Sequence, residues 1–138
     1  MANGIDLLLE DHRRVEALFE QFEATHEGAF VGQIADALTA HDDAEHSALY
    51  PLVGHILQDT TMLATATLAH SAVKKQLDRL KHLEGQPLVD AVAELKALVE
   101  DHVRDEERNI LPKLAAKATA PQLEGLAARI QQTKQRVG

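Results

Sequence analysis

The chain has 138 residues, 45% of them hydrophobic but only 3% aromatic, with no cysteine and eight histidines. That length suits one domain with a full apolar core, and the lack of cysteine excludes disulfides, thiolate zinc sites, iron–sulfur clusters and cysteine nucleophiles. The formal net charge of −8 opposes nucleic acid as a partner, no apolar run approaches the ~20 residues of a membrane span, and no signal-peptide pattern opens the chain, so a cytoplasmic protein is expected.

Alanine and leucine dominate while proline and glycine are few, which favours helices. Breaks are expected near Gly28–Gly32, Gln58–Thr60 and Gly85–Pro87, with a softer one around Thr119–Pro121. They leave segments of about 25 residues, each about 35–40 Å long as a helix. Asp59 with Thr60 reads as an N-cap and Gly85 as a helix stop before Pro87. Such short connections make neighbours antiparallel. The expected fold class is all-α, an up-down-up-down four-helix bundle over residues 1–118, with residues 119–138 packed on the same domain as a short additional helix.

In the first segment Ile5, Leu8, His12, Val15, Phe19 and Phe22 recur in steps of three and four. The second gives Ile34, Leu38, His41, Glu45, Ala48 and Leu52, and the third gives Leu63, Ala66, His70, Val73, Leu77 and Leu80. The fourth gives Val92, Leu95, Val99, His102 and Glu106. Histidine and glutamate therefore interrupt every apolar stripe at positions that face inward. Beyond the fourth segment, Pro121 to Gln135 reads as a fifth helix with Leu123, Leu126 and Ile130 on a narrow apolar face, placed on the bundle exterior or in a dimer contact.

The second and fourth segments also share a string. HDDAEHSALYP runs from His41 to Pro51, and HVRDEERNILP from His102 to Pro112. The i,i+4 spacing of histidine and glutamate is not itself discriminating, because His12–Glu16 and His55–Asp59 have it too. Phase and depth discriminate better: His12, His41, Glu45, His70, His102 and Glu106 fall on inner stripes at one level of the bundle. An unpaired buried polar group costs about 1–3 kcal/mol, so burying these six together calls for a compensating cation. The remaining histidines, His26, His46, His55 and His82, read as flanking or surface residues, and Glu107 as exposed or supporting.

A histidine and carboxylate set without thiolate suits iron or manganese, with zinc also possible. Four imidazoles and two carboxylates exceed what one tetrahedral zinc uses, so two iron ions bridged by the carboxylates and a solvent oxygen are the expected cofactor.

These residues resemble the hemerythrin-like proteins with the HHE cation-binding domain, over roughly residues 5–117. The likeness rests on EDHRRV around His12, HDDAE with the LYP that follows, His70, and HVRDEE with its LP. The resemblance implies a left-handed four-helix bundle and an oxygen-bridged di-iron centre held by His12, His41, Glu45, His70, His102 and Glu106, with the two glutamates as bridges. One departure stands out. Oxygen-carrying hemerythrins have a further histidine four residues before the one matched by His70, where this chain has Ala66. Tyr50 is the candidate replacement, as ligand or nearby support. Ideal helix phase turns it away from the inner stripe, although Pro51 can kink the helix there, and some hemerythrin-like proteins carry a tyrosine at this position.

The function expected is binding of, and reaction with, a small oxygen species. Hydrogen peroxide is preferred, in a catalase-like reaction. The alternatives are non-enzymatic O2 or nitric oxide binding, sensing or storage, and iron storage. Expected partners are the diatomic or peroxide ligand and a reductase, for a monomer or weak homodimer.

Overall fold

The computed structural model describes residues 3–137, so the expected domain limits at residues 1 and 138 lie outside it. The elements run α1 (Gly4–Thr25), α2 (Gly28–Ala44), a π-helical turn (Glu45–Leu49), α3 (Tyr50–Leu57), α4 (Thr60–Leu80), α5 (Gly85–Asp105), a second π turn (Glu106–Ile110), α6 (Leu111–Lys117) and α7 (Ala120–Val137). Backbone stays right-handed helical through each π turn. Thus α2 with α3, and α5 with α6, make two long helices that complete an all-α up-down-up-down bundle with α1 and α4, and α7 is the additional C-terminal helix. No helix among the described residues is long and apolar enough to cross a membrane.

Two of the expected breaks shift. Helix α1 ends at His26, which adopts the left-handed conformation at φ 55° and donates its N–H to the Phe22 carbonyl at 2.7 Å. The break thus falls at His26 and Glu27, just before Gly28 opens α2, and Gly32 lies within that helix. Gly85 likewise does not stop α4, which ends at Leu80. At φ 64° it opens α5 instead. The break at Gln58–Thr60 falls where expected: Gln58 is left-handed at φ 53°, and Asp59 caps α4 by accepting from the Met62 N–H at 2.9 Å.

The π turns have a common cause. Each stands just ahead of a proline, Pro51 or Pro112. Proline offers no N–H, and its ring clashes with the carbonyl four residues back. Widening the preceding turn relieves that clash, and the N–H groups of Tyr50 and Leu111 reach back five residues to the carbonyls of Glu45 and Glu106. One added residue resets the helical phase. The inner stripe therefore continues through Leu49 and Val53, both fully buried, whereas the expected Leu52 is half-buried. In the second copy Ile110 and Leu114 take the same places.

Two apolar cores result. One, around Phe19, Phe22, Ile34 and Leu95, fills the end of the bundle nearest the α1–α2 connection. The other joins Leu8, Leu49, Val53, Ile110 and Leu114 to Leu126 and Ile130 of α7. The polar layer lies between them. Helix α7 packs on α1, α2 and the first π turn through Leu126, Ala127 and Ile130, while the expected Leu123 is only half-buried.

The contact of α7 with α1 is close enough to require glycine. A Cβ at Gly4 would lie 2.3 Å from Leu126 Cγ and 2.8 Å from its Cβ, so flexing the leucine tip cannot relieve the clash. Gly4→Ala is expected to cost about 1–3 kcal/mol as an overpacking change. A thermal melt checks this: the variant should unfold several degrees below the parent.

Candidate metal centre

The six side chains singled out in the sequence meet in the layer between the cores. His12 comes from α1, His41 from α2, His70 from α4 and His102 from α5, while Glu45 and Glu106 each open a π turn. None is more than 9% exposed, and both glutamates are fully buried. Their donor atoms form two overlapping groups. One atom each from His12, His41, Glu45 and Glu106 lie within 4.8 Å of one another, as do atoms from Glu45, His70, His102 and Glu106. Both carboxylates belong to both groups.

Geometry within the layer fits cations better than hydrogen bonds. His12 Nε2 is 3.2 Å from Glu106 Oε1 and His41 Nε2 is 3.3 Å from Glu45 Oε1. Yet both nitrogens, together with Glu45 Oε2 and both oxygens of Glu106, are buried without a hydrogen-bond partner. On the other side His70 Nε2 has three neighbours at once: His102 Nε2 at 2.8 Å, Tyr50 Oη at 2.9 Å and Glu45 Oε1 at 2.9 Å. A single ring nitrogen serves one partner. Five orphaned atoms and one overcommitted nitrogen, all aimed inward, are what a shared cation position leaves when protein atoms alone are counted. The residues present fit two metal ions, with nitrogen and oxygen donors for each.

Charge balance agrees. Burial disfavours an ionised Glu45, but the charge on His41 and hydrogen bonds from the surrounding groups outweigh it and hold the carboxyl well below its ordinary range. Burial likewise opposes charge on His41, His70 and His102. Carboxylate partners overcome it: Glu45 and Asp11 hold His41 well above the usual imidazole value, and Asp42 and Glu45 raise His70. Glu106 and Glu45 push His102 up to about 10. The buried carboxylates thus favour positive charge at the centre of the layer.

Outer nitrogens orient three of the rings. His12 Nδ1 donates to Glu107 Oε2 at 2.7 Å, His41 Nδ1 to Asp11 Oδ2 at 3.0 Å, and His70 Nδ1 to Asp42. Such carboxylates fix which ring nitrogen faces a metal and raise its basicity. Asp11 and Asp42 were not among the residues expected from the sequence. A signal was present, since each is adjacent in sequence to a site histidine. On a helix, however, an adjacent residue faces a neighbouring helix instead, so Asp11 beside His12 serves His41, and Asp42 beside His41 serves His70.

Tyr50 corrects the expectation from ideal phase. An unbroken α-helix sets it about 140° from Glu45, but the wider π turn brings it inward, where it is 7% exposed with its hydroxyl against His70. It shares an apolar cluster with the fully buried Ala66. Burial and the nearby Glu45, Glu106 and Asp42 raise its pKa, so the phenol keeps its proton. His46 is 40% exposed at its side chain, close to Asp42 at 3.3 Å and edge-on to both Tyr50 and His70. His26, His55 and His82 are exposed, as expected.

The four imidazoles line a cavity of about 50 Å³ whose other walls include Leu38, Val73, Leu77 and Val99.

A helical bundle with a buried histidine and glutamate cluster of this kind defines a cation-binding four-helix domain. The profile of the Hemerythrin HHE cation binding domain matches residues 3–114, and the chain belongs to that family. In fold it is similar to the crystal structure of a Hemerythrin HHE cation binding domain-containing protein from Mycobacterium kansasii, with a TM-score of 0.84 and 24% identity, over 99% of this chain and 90% of that one. It is also 29% identical, over 140 residues, to a DNA nickase of Nostoc sp.. That match covers 96% of this chain but 39% of the relative, so the chain spans about two fifths of the curated protein it matches.

Proposed function

We propose that this HHE domain holds two iron ions between its helices and decomposes hydrogen peroxide in a catalase-like reaction. The observation that carries the reading is the overlap of the two donor groups at Glu45 and Glu106. On this reading His12 and His41 would hold one ion and His70 and His102 the other, with Glu45 and Glu106 able to donate to both. The donor set suits iron, with manganese or zinc as other occupants.

Iron bound there supplies redox cycling and Lewis acidity. Overall, one peroxide is reduced to two waters while a second is oxidised to dioxygen, so turnover consumes no outside reductant. The chain's residues supply the rest. Leu38, Val73, Leu77 and Val99 give the imidazoles apolar neighbours, and a cavity of about 50 Å³ has room for a peroxide-sized molecule. Tyr50 holds a proton at its Oη, 2.9 Å from His70 Nε2. It can donate that proton in a hydrogen bond to a ligand on the side where Ala66 supplies no polar group.

Iron-loaded protein should release oxygen from peroxide faster than an equal amount of free iron, and equal rates refute the reading. Tyr50→Phe keeps the ring and removes only the hydroxyl. It should lower the rate by about 10–100-fold, the range found for groups that support a metal site, with iron content unchanged. An undiminished rate excludes Tyr50 from the chemistry.

The apolar walls also favour a neutral diatomic ligand, which supports O2 or nitric oxide binding without turnover as the second reading. A reversible visible-absorption change when the reduced protein meets O2, without peroxide turnover, would select it. The nicking activity named for the longer Nostoc relative is not carried over. This chain matches 39% of that protein, and its net charge of −8 opposes a phosphate backbone.

A further inference from the structure

The carboxylates that orient the histidines carry cations in their turn. Arg13 lies 2.5 Å from Glu107, Lys74 lies 3.6 Å from Asp42, and Lys134 pairs with Asp11. Each chain of contacts runs cation, carboxylate, imidazole. The three cations differ in how much water surrounds them: the side chains of Lys74 and Arg13 are 68% and 57% exposed, that of Lys134 only 34%. Water and salt screen an exposed charge far more than a partly buried one, so Lys134 is the least screened of the three.

Its origin is also distinct. Arg13 and Lys74 lie within the bundle, whereas Lys134 comes from α7, beyond residues 3–114 that match the family profile. Leu126, Ala127 and Ile130 hold α7 in place, with Leu126 against Gly4. The chain thus returns 123 residues after Asp11 to set an ammonium on that carboxylate. Asp11 divides its oxygens, Oδ1 to Lys134 and Oδ2 to His41 Nδ1.

We propose that Lys134 is a positioning residue for the His41 side of the metal centre, sharing the Asp11 carboxylate with the outer nitrogen of His41 and so raising the reduction potential of the ion that His41 would ligate. The effect runs through Asp11. The ammonium takes part of the Asp11 carboxylate's charge, so Asp11 draws less on the His41 proton and Nε2 is a weaker donor to the oxidised ion. The proposal rests on the metal reading above.

The test is a redox titration of the iron-loaded full chain, followed by its optical spectrum, with Lys134→Met, Lys134→Arg, Asp11→Asn and the Lys134→Met/Asp11→Asn double variant. Methionine keeps the apolar stem and removes the charge. Lys134→Met should shift the oxidised-to-reduced ratio about tenfold toward oxidised, a fall of about 59 mV for one electron. Lys134→Arg should titrate like the parent, and in the Asp11→Asn background Lys134→Met should add nothing. An unchanged potential in Lys134→Met, a shift that persists without Asp11, or failure of arginine to rescue overturns the proposal. A parent chain that binds no iron overturns the metal reading itself, an outcome distinct from a parent that titrates normally beside an unaffected Lys134→Met.

Discussion

Glu45→Ala should strip the protein of both ions, not one. Glu45 is fully buried and belongs to both donor groups. Its Oε1 lies 2.9 Å from His70 Nε2, 3.3 Å from His41 Nε2 and 3.5 Å from His102 Nε2, so it faces donors on both sides of the layer. Supporting groups outside a metal site are worth about 10–100-fold in affinity, so losing a direct donor should weaken each ion more than about 100-fold. His12→Ala is the contrast. His12 belongs to one group only, and its loss should leave the His70–His102 ion bound. Metal content after purification separates the two: close to none for Glu45→Ala and close to half the parent value for His12→Ala. Retention of one ion by Glu45→Ala would mean that the carboxylate does not bridge.

Loading with metal should stabilise the fold by about as much as a large-to-small substitution in the apolar cores would cost it. Without metal, two fully buried glutamates and two imidazole nitrogens leave five polar atoms unsatisfied, each costing about 1–3 kcal/mol. An ion that binds only the folded chain adds about 4 kcal/mol when its free concentration is a thousandfold above Kd. For a domain of this size that raises Tm by more than about 10 °C. Comparing melts of metal-free and iron-loaded protein checks the figure, and coincident melts would contradict a metal role in the layer.

The positions of the six donors were legible because helical phase is a strong signal. His12, His41, His70 and His102 each fall on a stripe that includes a buried apolar residue, Leu8, Ile34, Leu80 and Leu95 in turn. The bundle and its extra helix followed from the same periodicity. Two features were not legible, for physical reasons. Phase reasoning assumes a constant turn, and the π turns ahead of Pro51 and Pro112 break that assumption. That is why Tyr50 faces inward and Val53, not Leu52, lines the core. The repeated proline was visible in both strings, and its effect was to widen the turn. Contacts between helices are the second. Asp11 and Asp42 look like charges flanking a histidine, and only three-dimensional packing shows that each serves the histidine of the next helix. Lys134 is less accessible still, because nothing local connects it with a residue 123 positions earlier.

The measurement that bears most directly on this account is the metal-to-chain ratio of the parent protein after iron-replete expression, taken with its optical spectrum. Two overlapping donor groups predict about two irons per chain and an oxo-bridge absorption. A ratio near zero would contradict the metal centre, and a single iron without bridge absorption would contradict the shared glutamates.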